Sequence, residues 1–499
     1  MSKPRIAIVG AGVAGLCAAA LLSRRCTVTV YERAERSGGK IRQLPVGNSA
    51  IDSGPTVFTM RGVFEDIFRR AGTELDACLS LHKLETLARH IWRGGATLDL
   101  FADKEKTAHA IAAFSSERDA AQYLKFTEKA KRVFDTLQKP FLENATPSLL
   151  ALMTRRNPLS LMGIDPYSSY WSSLTKRFED PRLRQLFARY ATYCGSSPFE
   201  APATLMLIAH VEQQGVWALE GGMQSLADAL ETVAKANGAR FVYDAEIATV
   251  DADGRSATGV SIIDGRRVEA DAVIINADMQ AVGAGFFGGE AARAVRPPKG
   301  AQRSQSALTW CLSAEARGVD LSVHNVFFSD DYQDEFDAVF NRNTFPKTPT
   351  TYLFAPDRDA NGRDAPLAAR AAAPERMFIL TNAPAIGDRR RITDKEIEEC
   401  EARTLAHLQA CGLTLAIDPA LKTATTPTDF AHRFPGTGGA LFGSANHHWR
   451  DSFRRPSSRT RMNGLYLAGG SVHPGSGVPM AALSGATAAN CVMADYGLT

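Results

Sequence analysis

The chain has 499 residues, which exceeds what one hydrophobic core usually supports and therefore predicts at least two domains. Apolar residues make up 45% and charged residues 22% of the sequence, a balance that excludes wholesale disorder and a fibrous repeat. The net charge of +3, with both signs mixed along the chain, leaves no basic footprint for DNA or RNA, so no nucleic-acid partner is expected.

The first elements in chain order form a strand, a tight turn, a helix and a second strand. Ile6–Val9 is a short apolar run typical of buried parallel strands, and Val13–Leu22 is rich in strong helix formers. The β-branched residues of Thr27–Tyr31 predict the next strand, which is followed by the acidic Glu32. One βαβ unit is therefore predicted at the start of the chain.

The middle of the chain changes character twice. Residues 76–210 look mostly helical, and within them Pro147–Trp171 is apolar and rich in Met and Tyr, which suits either an interfacial membrane patch or a buried core. Helix and strand alternate again over residues 213–290. The elements predicted there are the helix Met223–Ala236 and the strands Arg240–Tyr243 and Val268–Asn276.

Strands with long loops are predicted over residues 300–450, where Asp357–Arg376, rich in Ala, Arg, Asp and Pro, is the candidate mobile loop. A last buried strand, Leu465–Ala468, precedes a glycine turn and a helix from about Pro479 to Ala494. Nucleotide-type pieces thus occur at the start, in the middle and at the end. A single discontinuous domain with two insertions accounts for them better than three separate small α/β units.

The cysteines and the apolar runs bear on the expected compartment. The eight cysteines form no Cys-x-x-Cys pair and none lies beside histidine at zinc spacing, so neither disulfides nor a metal site are predicted and a cytoplasmic location is favoured. Two uncharged stretches, Ile6–Ser23 and Leu465–Ala494, are long enough to suggest a membrane span. Glycines interrupt both stretches, and we expect neither to cross a membrane.

The run from Gly10 to Gly15 matches the dinucleotide pattern G-x-G-x-x-G, directly after a strand and at the start of a helix. The first glycine permits the tight turn, Gly12 lets the backbone approach a pyrophosphate, and Gly15 allows close packing of helix and strand. Glu32 is placed to accept hydrogen bonds from ribose hydroxyls. A carboxylate there disfavours NADP, whereas the pattern by itself leaves NAD and FAD open.

Two further motifs separate NAD from FAD. The segment Glu32–Lys40 adds an arginine and two glycines after the ribose-binding acid, and Asp52–Thr56 follows with the pattern Asp-x-Gly-Pro-Thr. This succession resembles the large flavoprotein superfamily that includes amine oxidases, phytoene desaturases and the Rab GDP-dissociation inhibitors. The resemblance implies FAD as the redox carrier.

The segment Gly464–Met480 is similar to the carotenoid-desaturase form of that superfamily's last strand and flavin-binding turn. A glycine-rich turn that leads into a helix can direct backbone N–H groups at an isoalloxazine ring. Most amine oxidases carry an acid where Gly470 stands, which puts the usual contact between that acid and the ribitol in doubt. His473 is interpreted as either a ring-contacting residue or a polar turn residue.

Internal segments sharpen the resemblance to the carotenoid/phytoene desaturase family, which spans nearly the full length. They are Gly215–Trp217 with Gly221–Met223, Asn276–Asp278 at a strand end, and Asn382–Pro384 on the substrate side. Together with the C-terminal turn, these segments look most like the 1-hydroxycarotenoid 3,4-desaturases, also called methoxyneurosporene desaturases.

The resemblance implies an α/β fold in which a discontinuous Rossmann-like FAD-binding domain of the amine-oxidase type carries an inserted α+β substrate domain. The expected ranges are 1–75, 213–290 and 455–499 for the FAD-binding domain, and 76–212 and 291–454 for the domain that binds substrate and contacts the membrane. The residues expected to bind the cofactor are Gly10, Gly12, Ala14, Gly15, Glu32, Arg33, Gly38, Gly39, Lys40, Gly54, Pro55, Thr56, Asn276, Gly469, Gly470, Gly477, Val478 and Pro479.

The implied reaction is desaturation of an acyclic carotenoid in carotenoid biosynthesis, in which a hydride leaves one carbon for flavin N5 and a proton leaves its neighbour. Electrons then pass to oxygen or a quinone. Since the substrate is insoluble in water, we expect peripheral association with the bacterial inner membrane. No catalytic residue is assigned, and His210 and Glu212 are weighed as proton acceptors against a structural role.

Several alternatives stay open. A phytoene desaturase or a carotenoid isomerase belongs to the same superfamily. A flavin amine oxidase commonly places a lysine near flavin N5, and Ser304–Leu312 contains none, which argues against that activity. A non-catalytic lipid-carrier protein like the GDP-dissociation inhibitors has a degenerate nucleotide site, whereas the expected glycines and Glu32 are all present here.

Overall fold

The computed structural model describes residues 3–142, 144–145, 168–297, 300–358 and 374–498. Most of Pro147–Trp171 and of the candidate mobile loop Asp357–Arg376 lies outside the described residues, so both interpretations stay predictions. None of the described helices is both long and apolar enough to cross a membrane.

Strands and helices alternate over much of the described chain. The strands are β1 (Arg5–Val9), β2 (Thr27–Tyr31), β3 (Gln43–Val46), β4 (Ser49–Asp52), β5 (Leu81–Lys83), β6 (Thr86–Ile91), β7 (Thr97–Phe101), β8 (Trp217–Leu219), β9 (Arg240–Val242), β10 (Ile247–Ala252), β11 (Ala257–Ile262), β12 (Arg267–Glu269), β13 (Ala272–Ile275), β14 (Ser306–Gly318), β15 (His324–Phe327), β16 (Thr351–Phe354), β17 (Glu375–Ala383), β18 (Leu413–Thr425) and β19 (Leu465–Leu467).

The helices lie between these strands. They are α1 (Val13–Leu22), α2 (Arg61–Ala71), α3 (Leu75–Cys78), α4 (Lys104–Phe114), α5 (Glu117–Leu137), α6 (Tyr170–Thr175), α7 (Pro181–Ala188), α8 (Leu207–Gln214), α9 (Gln224–Ala236), α10 (Met279–Gly283), α11 (Gly289–Ala294), α12 (Tyr332–Asp337), α13 (Asp394–Ala410), α14 (Pro427–Arg433), α15 (Asp451–Arg454) and α16 (Val478–Asp495). Irregular helical turns occupy Gln138–Leu142, Arg189–Cys194, Ala203–Met206 and Ala338–Arg342.

A five-stranded sheet has the order β19-β13-β1-β2-β9, and its neighbouring strands are all parallel. Ile8 and Ile274 pair across β1 and β13 and are fully buried, as expected for a parallel sheet. Helix α1 is buried along its whole length and packs on α9 and α16. Its contact with α16 needs Gly485, because a Cβ there would overlap the carbonyl oxygen of Ala14.

This sheet confirms the α/β fold class and the βαβ unit predicted from the sequence. Its strands come from the start, the middle and the end of the chain, so strands remote in sequence lie side by side. The domain boundaries themselves stay a prediction.

A seven-stranded sheet has the order β18-β14-β17-β16-β15-β6-β7. Its pairs are antiparallel except for β15 and β6, which are parallel. The long strand β14 lies between β17 and β18 and pairs with both along most of its length.

The described part of residues 76–210 is mostly helical, as predicted, but the strands β5, β6 and β7, which the sequence did not indicate, also lie there. Strand β6 is completed by β15, which comes far later in the chain, so no local pattern shows its partner. The stretch Val268–Asn276 likewise contains two strands rather than one, β12 and β13, and these belong to different sheets.

Candidate active site

One large cavity extends from the carboxyl ends of the parallel strands to one face of the seven-stranded sheet, with a volume of about 1380 Å³. Pockets for a single drug-sized ligand span roughly 300–1,000 Å³, so this cavity has room for a cofactor and a second ligand. Of the residues that the sequence assigns to the cofactor, all except Gly15 line it.

The glycine turn after β1 is fixed by close backbone contacts. Gly10 has a φ of +99°, and a Cβ there would lie 2.7 Å from the carbonyl oxygen of Asn276. A Cβ on Gly15 would overlap the carbonyl oxygen of Gly10, so Gly15 packs behind the turn instead of facing the cavity. Helix α1 follows Gly12, which has no capping side chain, so N–H groups at its N-terminus stay available to an anion.

The carboxylate of Glu32 is held at the end of β2 by the backbone. Its Oε2 accepts a hydrogen bond from Ala11 N at 2.7 Å and its Oε1 accepts one from Ala34 N at 2.9 Å. The residue is 8% exposed and lines the cavity beside the glycine turn. Each oxygen keeps a further lone pair, so the group can accept hydrogen bonds from a ligand's hydroxyls.

The segment from Arg33 to Lys40 crosses over the glycine turn. A Cβ on Gly39 would lie 3.1 Å from Gly12 Cα, so the two loops approach too closely for a side chain. Lys40 donates to the carbonyl oxygen of Leu441 at 2.5 Å, and burial lowers the pKa of Lys40. Arg33 donates to a carbonyl oxygen of the opposite wall, that of His432, at 2.5 Å.

The end of the cavity formed by the glycine turn, Glu32 and Gly39 is called the nucleotide end below. Residues 54–56 connect this end to the seven-stranded sheet. Gly54 lies so close to Lys40 that a Cβ would overlap the Lys40 carbonyl oxygen. Thr56 Oγ1 is 2.7 Å from the hydroxyl of Tyr352, and the same hydroxyl is 2.7 Å from Nδ1 of His324. Both Thr56 and Tyr352 line the cavity, so polar side chains mark this junction.

The C-terminal turn contributes backbone to the opposite wall. Gly469 and Gly477 have φ values of +126° and +108°, and helix α16 begins directly afterwards at Val478, without a capping side chain. Arg455 donates to the carbonyl oxygen of Gly470 at 2.8 Å and so holds the position where amine oxidases carry an acid.

His473 lies off the cavity wall, where its Nε2 is 2.8 Å from the carbonyl oxygen of Phe141. Burial lowers the pKa of His473 to about 4, so the imidazole is neutral at physiological pH. These contacts favour the turn interpretation over a ring contact.

Asn276 joins three segments of the nucleotide end. Its Oδ1 accepts from Gly15 N at 2.9 Å, and its Nδ2 donates to the carbonyl oxygen of Ala468 at 3.3 Å. The amide therefore ties the end of β13 to the first turn of α1 and to the end of β19. Asn276 lines the cavity, but its side chain is already committed to these contacts.

The structure reveals a polar cluster around Glu212 that sequence reasoning missed, since Arg189 belongs to no motif. The side chains of Arg189 and Glu212 are each 5% exposed and form an ion pair at 2.9 Å. Tyr190 and Tyr193 donate to the same carboxylate at 2.5 and 3.0 Å. Although burial opposes its charge, the attraction of Glu212 raises the pKa of Arg189 well above its usual range.

This cluster bears on the two candidate proton acceptors. Both oxygens of Glu212 accept hydrogen bonds from Arg189 and from a tyrosine, which favours the structural role. His210 lies outside the cavity wall, with its ring 5.1 Å from the ring of Phe134. Neither residue is placed as a free base toward the cavity.

A buried carboxylate lies behind the sheet face that forms the cavity floor. Oε1 of Glu335 accepts from Asn382 Nδ2 at 2.8 Å, and its Oε2 accepts from the hydroxyl of Thr350 at 2.5 Å. Glu335 is 1% exposed, and burial raises the pKa of Glu335 to about 7. Asn382 and Thr350 both line the cavity. The sequence marked Asn382, whereas nothing local distinguishes Glu335 from a surface acid.

Two observations show that the cavity suits a flavin nucleotide. Backbone forms the cavity wall at Gly10, Gly12 and Gly39, where an added Cβ would lie only 2.7, 3.0 and 3.1 Å from other protein atoms. Four hydroxyls of cavity-lining residues are buried without a hydrogen-bond partner among the described residues, and they belong to Ser53, Ser306, Thr309 and Ser476. A ligand rich in carbonyl and ring-nitrogen groups would satisfy such hydroxyls.

Comparison with known proteins agrees with this site. The model of the family described as flavin containing amine oxidoreductase matches residues 13–493, and the chain belongs to this family. It is a flavin-dependent oxidoreductase. An oxidoreductase from Methanosarcina mazei shares the fold, with a TM-score of 0.62 and 17% identity over 98% of this chain and all of that one.

Within the family the chain is a carotenoid desaturase. It is 46% identical to the hydroxyneurosporene desaturase of Rubrivivax gelatinosus over 99% of this chain and 94% of the relative. It is 41% identical to the hydroxyneurosporene desaturase of Cereibacter sphaeroides over 99% of this chain and 98% of the relative.

Proposed function

We propose that the protein uses FAD to introduce a carbon–carbon double bond into an acyclic carotenoid, at the 3,4 position of a 1-hydroxycarotenoid. The observation that carries the proposal is that one cavity contains both the glycine-lined nucleotide end and an apolar wall. The 46% identity to a hydroxyneurosporene desaturase supports the substrate class. The dinucleotide-binding pattern at Gly10–Gly15, together with Glu32, supports FAD as the flavin cofactor.

The residues of the nucleotide end would hold FAD through the backbone. The glycine turn and the N-terminus of α1 would receive the pyrophosphate, and Glu32 would accept hydrogen bonds from the ribose. The N-terminus of α16 and the turn from Gly469 to Gly477 would donate to the isoalloxazine ring. When bound, FAD supplies the two-electron acceptor for the hydride that leaves the substrate carbon.

The apolar branch of the cavity suits a polyene. It is lined by Leu137, Phe141, Leu142, Leu207, Ile208, Val211, Phe453 and Met480. Such a wall holds an extended hydrocarbon in one orientation and excludes water, which would otherwise add to a carbon that becomes electron-poor as hydride departs. The proton from the neighbouring carbon balances the reaction, and the two electrons finally reach oxygen or a quinone.

We further infer peripheral association with the bacterial inner membrane, because a forty-carbon polyene has to be collected from a bilayer. The apolar sequence of Pro147–Trp171 supports such a contact. Liposome flotation tests this part. Replacing Leu159, Leu161 and Met162 by Ser should abolish flotation while FAD content is kept, and unchanged flotation would contradict the assignment.

Anaerobic mixing tests the reaction itself. FAD-loaded protein is mixed with a 1-hydroxylated acyclic carotenoid in liposomes, and flavin bleaching and the polyene spectrum are followed together. We expect bleaching and a shift of the absorption maximum to longer wavelength, because each new double bond extends the conjugated system. Bleaching with phytoene but not with hydroxylated polyenes would identify a phytoene desaturase, and bleaching with amines alone would identify an amine oxidase.

A further inference from the structure

Asn382 has an orientation that a buried neighbour imposes. Its Nδ2 donates to Oε1 of Glu335 at 2.8 Å. Above its pKa of about 7, Glu335 is ionised and only accepts hydrogen bonds, so the amide nitrogen of Asn382 faces Glu335 and the amide oxygen faces away from it. Asn382 lines the cavity and is 7% exposed, while Glu335 is 1% exposed.

The amide oxygen of Asn382 receives no hydrogen bond from any residue that the structure describes. Of the other polar side chains on this side of the cavity, those of Thr350 and Tyr352 are engaged, whereas the hydroxyls of Ser306 and Thr309 on the neighbouring strand β14 have no partner among the described residues. Thr350 donates to Glu335 and accepts from Ser329 N, and the hydroxyl of Tyr352 lies between Thr56 and His324. Asn382 therefore offers a fixed, unused acceptor on the cavity floor.

The position of Asn382 suits a polar group near the reacting end of a substrate. Phe378, Leu380 and Asn382 alternate along β17 and line the cavity, so they share one face. Leu380 pairs with Tyr352, whose hydroxyl contacts Thr56 at the nucleotide junction. Asn382 lies two residues further along the strand, a step of roughly 7 Å.

We propose that Asn382, oriented by Glu335, binds the terminal hydroxyl of the substrate and thereby selects hydroxylated over unhydroxylated carotenoid ends. This inference rests on the proposed function, in which the carbon that bears the 1-hydroxyl is separated from the 3,4 bond by a single methylene carbon. Such a hydroxyl has to lie close to the reacting carbons, and it donates to the amide oxygen of Asn382. Asn382 is a specificity residue in this arrangement, and Glu335 is a positioning residue.

The discrimination follows from the apolar surroundings. A carotenoid end without a hydroxyl would displace water from Asn382 and leave its oxygen unpaired, whereas a hydroxylated end would replace the lost hydrogen bond. Sites built around such a contact reject the analogue that lacks the polar group. We expect the hydroxylated ligand to bind roughly tenfold or more tightly than its counterpart.

The test measures binding without turnover, so it does not depend on desaturation. The ligands are a 1-hydroxylated acyclic carotenoid that already carries the 3,4 double bond and the same polyene without the hydroxyl. Both are titrated in micelles of one composition into FAD-loaded full-length protein at pH 8, and quenching of tryptophan fluorescence is followed. Asn382→Leu should lose the preference for the hydroxylated ligand and bind the unhydroxylated one at least as well as the native protein does.

Matched variants separate this contact from general changes in the cavity. Leu380→Met, on the same strand and face, should keep the preference. Glu335→Ala should reduce the preference, because the amide of Asn382 loses its fixed orientation. Bound FAD is measured for each variant, and Asn382→Ala replaces Asn382→Leu if the leucine variant does not retain the cofactor.

The outcomes distinguish the two levels of inference. A native protein without any preference for the hydroxylated ligand contradicts the proposed substrate, and the role of Asn382 with it. A native preference that persists in both Asn382 variants overturns the role of Asn382 and leaves the proposed function standing. A preference lost only in Thr309→Val would place the contact on β14 and would overturn the assignment to Asn382.

Discussion

The two ends of the cavity are built by different means. At the nucleotide end, the wall consists largely of backbone, and glycines are needed because a Cβ at Gly10, Gly15 or Gly54 would meet a carbonyl oxygen. At the other end, which we propose takes the substrate and call the substrate end, side chains from remote segments form the wall. Two buried carboxylates there, Glu212 and Glu335, hold the polar side chains in place.

This difference predicts two kinds of sensitivity. At the nucleotide end the backbone segments lie so close together that an added side-chain atom would overlap them. At the substrate end the structure contains buried charges, and leaving one of them unpaired lowers the stability of the protein. The nucleotide end should therefore respond to added volume and the substrate end to removed charge.

The largest effect is expected from Glu212→Leu, which leaves the guanidinium of Arg189 buried without its partner. Breaking one side of such a pair should lower the free energy of unfolding by about 3–5 kcal/mol. Thermal or urea unfolding measures the loss. The double variant Arg189→Met with Glu212→Leu, which removes both charges, should recover much of it. A double variant no more stable than the single one would contradict a charge-based explanation.

Glu335 should make the stability of the protein pH-dependent. Because burial raises the pKa of Glu335 from 4.5 in the unfolded chain to about 7, the folded state holds a proton that the unfolded state releases between these values. Stability from this group is therefore present below about pH 4.5 and is lost as pH rises through about 7, in total roughly 3 kcal/mol.

Glu335→Gln cannot ionise and should remove this decline. The measurement is urea unfolding of the native protein and of the variant at several pH values from 4.5 to 8. The difference in unfolding free energy between the two should change in favour of the variant as pH rises. Parallel curves would show that Glu335 titrates alike in the folded and unfolded chain.

Gly15→Ala probes added volume at the nucleotide end, where the new Cβ would overlap the carbonyl oxygen of Gly10. Overpacking of this kind should lower the free energy of unfolding by about 2 kcal/mol and reduce the bound FAD. Gly62→Ala is the matched control, because a Cβ there meets only the end of Glu65, at 3.9 Å. Equal behaviour of the two variants in unfolding and flavin content would contradict the steric argument.

Glu32→Gln should have the smallest effect of this series. The amide keeps the shape of the carboxylate but loses the charge that strengthens hydrogen bonds to ribose hydroxyls. FAD affinity, measured by titrating the flavin-free protein, should fall by about tenfold. Glu35→Gln, at an exposed position off the cavity wall, supplies the control. Equal affinities of the two variants would remove Glu32 from the FAD contacts.

The local sequence predicted the structure well where the fold needs a tight turn that only glycine can form. The glycines between β1 and α1, the strand pattern of Thr27–Tyr31 and the acid at Glu32 are neighbours in sequence and act together in space, so their spacing predicted the βαβ unit and the cavity-lining turn. The same holds for the turn before α16, where glycine and proline mark the end of β19 and the start of the helix.

The substrate end could be predicted from the sequence only in part. Asn382 and Glu212 lay in recognisable segments, but their partners Glu335 and Arg189 did not, because each partner comes from another part of the chain. The strand β6 was missed for the same reason, since its parallel neighbour β15 is distant in sequence. Pairing between remote segments leaves no periodic signal in either one.

The sequence by itself determined the α/β class, the dinucleotide turn and the resemblance to carotenoid desaturases, because steric demands on glycine and the apolar pattern of parallel strands act over short spans. Only the tertiary structure decided which polar groups form hydrogen bonds with one another and which are left to face the cavity. Burial makes that distinction, since Glu335 acquires its raised pKa and its hydrogen bond from Asn382 only when α12, which carries Glu335, packs behind the sheet.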